Sequence, residues 1–323
     1  MIFPIIFTSA LEYYLSPISL RSSYISKSQR KLCNLPPHYD LSYQKEFIQE
    51  LADDYDLSLP LHVMTEKATK RKCTKELHCH TRPKNLPDRS FIRLDDSLWI
   101  CSPELCVTQI ASAMPLVKLI RAINHLCAIY VANPNAPYLQ SSRDPLTTVQ
   151  SISGFVGRAP GLKGISKTRQ ALRYALDRSN SPMESDFAVL FTLPISLGGY
   201  ALPKPLLNRN TRLFSNVSSL HLSSVCCDFV WPDQKIIVEY DSNLSHLDPD
   251  QHAYDKGKHN ALTLSGYKVI NITTKDVKDF PSVDRTFRLI RKELGLRAFS
   301  TEFEKYYSLR RQNVLSLLFN IDV

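Results

Sequence analysis

Residues 227–242 read CDFVWPDQKIIVEYDS. Two β-rich runs, 227–231 and 235–241, are separated by Pro232-Asp233-Gln234, a turn short enough to pair them antiparallel. In the second run the strand period of two puts Ile237, Glu239 and Asp241 on one face and Ile236, Val238 and Tyr240 on the other. The hairpin then brings Asp228 to the carboxylate end, so three acids are expected to converge. Carboxylates packed in an apolar strand repel one another, and a hard cation that gathers oxygen ligands relieves the repulsion. Solvated acids at an exposed strand end are the competing reading. For one acid that reading wins; for three in a hydrophobic hairpin, metal is preferred.

Outward from the hairpin, the order from Ser181 onward reads helix, strand pair, helix, strand, helix. Helices are expected over 182–193 and 249–265, with Gly266 as a stop, and a strand over 267–273. Val283, Phe287, Ile290 and Leu294 mark one face of a last helix, and the alternation argues an α/β layer. Ser181-Pro182-Met183-Glu184 has capping-box spacing, which on residue physics alone accounts for Glu184.

The set Glu184, Asp228 and Glu239-Tyr240-Asp241, with HLDPDQHAYDKGKHNALTLSGYKVINIT at 246–273, resembles the PD-(D/E)XK nuclease superfamily, in the branch related to the very-short-patch repair endonuclease. The likeness covers roughly 181–296. It implies a restriction-endonuclease-like mixed sheet flanked by helices and a Mg²⁺-dependent endonuclease (Mn²⁺ as substitute) acting on DNA in defence or repair. It further implies that Glu184, Asp228 and Glu239 hold the metal, with the Tyr240 carbonyl as a further ligand. Asp241 stands in the slot where the superfamily carries its lysine, as is common in this branch. Lys256 on the next helix is then the candidate to act on the attacking water. Lys258, His246 and Asn260 are candidates for contact with nucleic acid. The alternative, from a different class, is a non-catalytic DNA-binding regulator or antitoxin-like protein that retains the fold. Action on RNA or a nucleotide is a third reading.

The segment 60–112 resembles the accessory region beside such nuclease domains and, more distantly, the antitoxins of type IV abortive-infection systems. Strands are expected there over 61–64, 76–80, 91–94 and 98–101, then helices over 103–114 and 115–130. Lys70, Arg71 and Lys72, with Lys67 and Lys75, can track a phosphate backbone or form a solvated loop. His78 and His80 share a strand face and could chelate zinc with Cys73, but three ligands at unusual spacing favour a plain strand.

The 323 residues suffice for two domains, expected as an α+β accessory region (1–132), a Pro-rich linker with a helical hairpin (133–180) and the nuclease domain (181–323). Forty Lys and Arg against 31 Asp and Glu give +9, which favours an acidic partner such as DNA. At 43% hydrophobic and 22% charged residues, the composition excludes disordered and fibrous classes. The eight cysteines lack paired zinc-finger spacing and read as thiols in a reducing cytoplasm. The apolar start lacks preceding basic residues and reads as a buried element, and no membrane partner is expected.

Overall fold

Strand and helix signals at 61–101 and at 103–126 build one sheet-and-helix body, and those at 182–293 build another. A computed structural model describes residues 2–21, 25–39, 41, 45–67, 73–131, 141–213, 223–241 and 249–319. The chain divides into two units, Met1–Ser181 and Pro182–Val323. Together they are mixed α/β, with ten α-helices and two mixed sheets of six and four strands among the described residues.

The first unit runs β1 (Phe3–Ile5), α1 (Phe7–Leu15), β2 (Leu32–Cys33), α2 (Lys45–Tyr55), β3 (Leu61–Thr65), β4 (Leu77–Thr81), β5 (Phe91–Arg93) and β6 (Leu98–Cys101). It continues with α3 (Pro103–Ile110), α4 (Leu116–Leu126), the short β7 (Tyr130–Val131) and β8 (Ser141–Ser142), α5 (Val149–Arg158) and α6 (Ile165–Leu172). The six-stranded sheet has the order β2-β5-β6-β1-β3-β4. The apolar start is a central strand followed by a buried helix: Phe3 and Ile5 are fully buried, and β1 pairs parallel to β6 and antiparallel to β3.

The Ser102 side chain caps α3 by accepting the Leu105 N–H, and Pro103 occupies the first turn where its missing N–H costs nothing. Segment 133–180, expected as a separate linker, is grouped with the first unit, because α5 packs on α3 and α6 on α4. Gly164 lets the start of α6 approach α3 closely. Its φ is +97°, and a Cβ there would lie 2.0 Å from the Thr108 carbonyl oxygen.

The second unit runs α7 (Pro182–Thr192), β9 (Leu206–Arg212), β10 (Ser224–Trp231), β11 (Ile236–Asp241), α8 (Pro249–Leu264), β12 (Lys268–Thr273), α9 (Phe280–Glu293) and α10 (Thr301–Phe319). Its sheet has the order β12-β11-β10-β9, with β9, β10 and β11 antiparallel and β12 parallel to β11 through α8. One layer of the core is aromatic. Phe187 and Phe191 of α7 meet Phe229 of β10 and Phe287 of α9, while Phe187 also meets Tyr240 and Phe319 of α10. Val230 and Ile237, whose side chains alternate to the opposite face, pack with Ala261 and Leu262 of α8. The sheet is therefore flanked by helices on both faces. Strand β9 and helix α10 are additions to the elements expected from sequence.

A buried polar knot ties α9 to α10. Arg311, fully buried, places Nη1 2.9 Å from Asp284 Oδ1, which also accepts the Tyr200 hydroxyl at 2.8 Å. The guanidinium lies 4.7 Å over the Tyr200 ring and 4.9 Å over Phe299.

Candidate active site in the second unit

The hairpin register decides where the acids meet. Phe229 pairs with Val238, Val230 with Ile237 and Trp231 with Ile236, so the next rung brings Asp228 beside Glu239. On the other side, the pairs Cys227–Arg209 and Phe229–Leu207 leave Asn208 opposite Asp228. Helix α7 supplies Glu184, only 5% exposed, from its first turn. Glu184 Oε2 accepts a hydrogen bond from Asn208 Nδ2 at 2.6 Å. Asn208 thus reaches the helix acid from the strand next to the one that carries Asp228. Its φ of +47° lies in the left-handed region that asparagine tolerates better than most residues.

Asp228 Oδ2 accepts the Tyr240 N–H at 2.8 Å. Burial first, then the charges of Glu239 and Glu184, push the Asp228 carboxyl well above the ordinary carboxylate range, against the opposing Tyr240 hydrogen bond and Lys258 charge. Lys258, reaching down from α8, sets its Nζ 2.9 Å from Glu239 Oε1, with the two side chains 20% and 17% exposed. Burial works to lower the Lys258 pKa, but Glu239 outweighs it with help from Cys227 and Asp228, and the net shift is upward. The ammonium is held charged. The neighbouring Cys227 thiol is pushed up to about 12, chiefly by burial and then by Glu239, so it stays protonated and inert.

The two candidate lysines of α8 differ in their surroundings. Lys258, expected at the nucleic-acid contact, pairs with Glu239, whereas Lys256, expected at the chemistry, is exposed. Two residues along a helix point to different sides, so one helix cannot aim both at the same acid. Asn260 is exposed, and Asp241 ends β11 half-buried opposite Thr273 of β12. The Tyr240 ring packs edge-on against Phe187 at 5.3 Å. His246, Lys70, Arg71 and Lys72 lie outside the described residues. Asn208 was missed because nothing in Leu206–Arg212 marks it as facing an acid.

The donor set suits a hard cation: carboxylate oxygens and the Tyr240 carbonyl are ligands of the kind Mg²⁺ takes. With all three carboxylates ionised, as ligation would require, the one ammonium would leave a charge of about −2 for a divalent ion to balance. The three acids are, however, not drawn into a group whose oxygens all lie within 4.8 Å of one another; among the described residues that condition is met by His62, His78 and His80 instead. Lys258, Asn208 and the Tyr240 N–H each hold one acid in place.

A basic surface lies on α9 of the same unit, where Arg285, Arg288, Arg291 and Lys292 edge a cavity of about 430 Å³. Arg288 also bonds Asp284, and Arg291 donates to the Tyr200 carbonyl at 2.8 Å.

No protein-family model matches the chain, and no solved structure matches it. Two curated proteins of Mycobacterium tuberculosis, Uncharacterized protein MT2308 (strain CDC 1551 / Oshkosh) and Uncharacterized protein Rv2248 (strain ATCC 25618 / H37Rv), are each 28% identical to it over 130 residues. The match takes in 40% of this chain and 44% of each relative, so the likeness covers less than half of either length. Among the described residues no helix is long and apolar enough to cross a membrane.

Proposed function

We propose that the second unit is a metal-dependent phosphodiesterase of the PD-(D/E)XK type that cuts DNA. The observation that carries this reading is the meeting of Asp228, Glu239 and Glu184 at one end of the sheet, close enough for the latter two to raise the Asp228 pKa. Such crowding of like charges is costly to the fold and is characteristic of sites built for a cation.

Glu184, Asp228, Glu239 and the Tyr240 carbonyl would hold Mg²⁺, with Mn²⁺ as a substitute. When bound, the ion supplies polarisation of the scissile phosphate and a water of lowered pKa. The chain's own groups do the rest. Lys258 is charged and paired with Glu239, so it serves as a hydrogen-bond donor to the attacking water or to a phosphate oxygen and not as the base. Asn208 fixes the Glu184 carboxylate from strand β9. The Arg and Lys side chains of α9 offer charge for a polyanion to lie along.

A second reading draws on the contacts that the acids already make within the chain. Each is already engaged by a residue of the chain itself, which is compatible with a DNA-binding regulator that keeps the fold without cleaving. The test is incubation of the purified protein with plasmid, linear duplex, single-stranded DNA and RNA, each with Mg²⁺, Mn²⁺ or chelator. Metal-dependent cleavage of DNA that is lost in Glu239→Gln supports the nuclease reading. Duplex binding with no cleavage under any metal would replace it with the regulator, and cleavage of RNA alone would move the substrate.

A further inference from the structure

The first unit carries a cluster that the nuclease reading does not use. Strands β3 and β4 run parallel with His62 opposite His78 and Met64 opposite His80, which puts the side chains of His62, His78 and His80 on one face of the sheet. All three are half-buried. One ring nitrogen from each lies within 4.8 Å of the others, and His62 Nδ1 is 2.8 Å from His80 Nε2. Ring centroids stand 4.6–5.0 Å apart, and Phe7, at the start of α1, stacks on His62 and His80 at 5.3 and 5.0 Å.

Parallel pairing explains why these three and not the set suggested by spacing come together. Cys73 forms an isolated bridge opposite His78 and is exposed, but it is not part of the group, whereas His62 is brought in from the neighbouring strand. We propose that His62, His78 and His80 bind a divalent transition-metal ion, Zn²⁺ by ligand chemistry, with a further coordination position left open.

Imidazole suits zinc, copper and nickel, while Mg²⁺ prefers oxygen, so this site and the acidic one would select different ions. Three protein ligands with a vacant fourth position is the arrangement of zinc sites that act on a bound water or ligand. The size is right. With Zn–N bonds of about 2.0–2.1 Å, tetrahedral ligand nitrogens stand roughly 3.3 Å apart, so the His62–His80 pair opens by about 0.5 Å and the third ring swings inward. The hydrogen bond between His62 Nδ1 and His80 Nε2 is given up when the ion takes its place, and the ring that donated it carries its proton on its other nitrogen, so that both rings ligate as neutral imidazoles. Burial, and then His78, holds the His62 pKa below its ordinary value, which favours the neutral ring that ligates. Access is also available, since His80 lines a cavity of about 510 Å³ with Thr81, Lys84, Asn85, Gln109 and Lys163.

The test uses the full chain without a polyhistidine tag, stripped with chelator, then titrated with Zn²⁺ by calorimetry and with Co²⁺ by visible absorption. To keep the acidic site from contributing, the titrations are repeated in Asp228→Asn. The expected result is one zinc per chain in both backgrounds. His62→Ala and His78→Ala should each weaken it by more than about 100-fold, since even a second-shell change costs about 10- to 100-fold. Thermal melting of each apo variant separates lost binding from lost folding, and wild-type Co²⁺ spectra need no variant. Absence of a stoichiometric site overturns the proposal, as does zinc binding that survives both histidine changes. A thiolate-to-cobalt charge-transfer band, lost in Cys73→Ser, overturns the three-histidine assignment by making Cys73 a ligand.

Discussion

Consider removal of the ammonium from the acid cluster in Lys258→Met, which keeps the length and apolar stem of the side chain. At 2.9 Å and an effective dielectric of about 20, the Lys258–Glu239 attraction is on the order of 6 kcal/mol before desolvation is subtracted. Both groups are about four-fifths withdrawn from water, so desolvation takes back much of it; breaking a fully buried pair costs about 3–5 kcal/mol and an exposed one about 0–1. A loss of about 2 kcal/mol follows, because Glu239 is left beside Asp228 and Glu184 with no cation. For a unit of this size the melting temperature should fall by about 4–8 °C. The assay is urea and thermal unfolding in chelator, run as a double-mutant cycle with Glu239→Gln to isolate the pair. Addition of Mg²⁺ should raise the melting temperature of Lys258→Met at least as much as that of the parent protein, since the ion replaces the missing charge. A coupling energy below about 0.5 kcal/mol would place the pair with exposed ion pairs and refute the reasoning.

Asp228→Asn removes a carboxylate whose folded pKa is raised, so the native state binds the proton more tightly than the unfolded chain. The parent protein in chelator should therefore lose stability as pH rises from the ordinary carboxylate range through the raised value, and the variant should lose that slope, as read by unfolding at a series of pH values; a parallel slope in both counts against the crowding. Asn208→Ala gives up the Glu184 hydrogen bond and puts alanine, which tolerates the left-handed region less well than asparagine, at φ +47°, costing about 1–3 kcal/mol. Asn208→Gly should recover part of this, and an alanine variant as stable as glycine would show that the backbone is not strained. Phe191→Ala, within about 5.0–5.4 Å of Phe229, Phe287 and Trp231, should cost about 3–5 kcal/mol, whereas exposed Leu289→Ala should stay within about 0.5 kcal/mol. Equal costs by denaturant titration would contradict the burial described for α7.

What the sequence made legible was what local periodicity reports. The β10–β11 hairpin, α8, β12 and the face of α9 follow from alternation, a helix stop and 3.6-residue spacing, and the placement of Asp228 beside Glu239 follows from turn length. Strand β9 was hidden because Leu206–Arg212 interrupts its apolar residues with charge and carries a left-handed asparagine, which breaks the period-two signal. Helix α10 was hidden because one of its fully buried residues is an arginine, which reads as solvent-facing until Asp284 is known to meet it. The histidine cluster depends on which strand lies beside β4. Spacing offered Cys73 from the same stretch of chain, but parallel pairing delivered His62 from the preceding strand. The two α8 lysines were likewise near in sequence, and the direction each one takes depends on helix phase.

The aromatic layer of the second unit has a bearing on the order of synthesis. All four strands of its sheet are available once residue 273 has left the ribosome, yet the rings of Phe187, Phe191 and Phe229 wait for Phe287 and Phe319, contributed by α9 and α10. At about 5–20 residues per second, a nascent chain carries this bare apolar face for a few seconds. During that interval the polypeptide is a ready client for chaperones that grip exposed aromatic surface. Slow translation of the codons for 274–319 should lengthen the exposure and lower the soluble yield, without altering the stability of the molecules that finish folding.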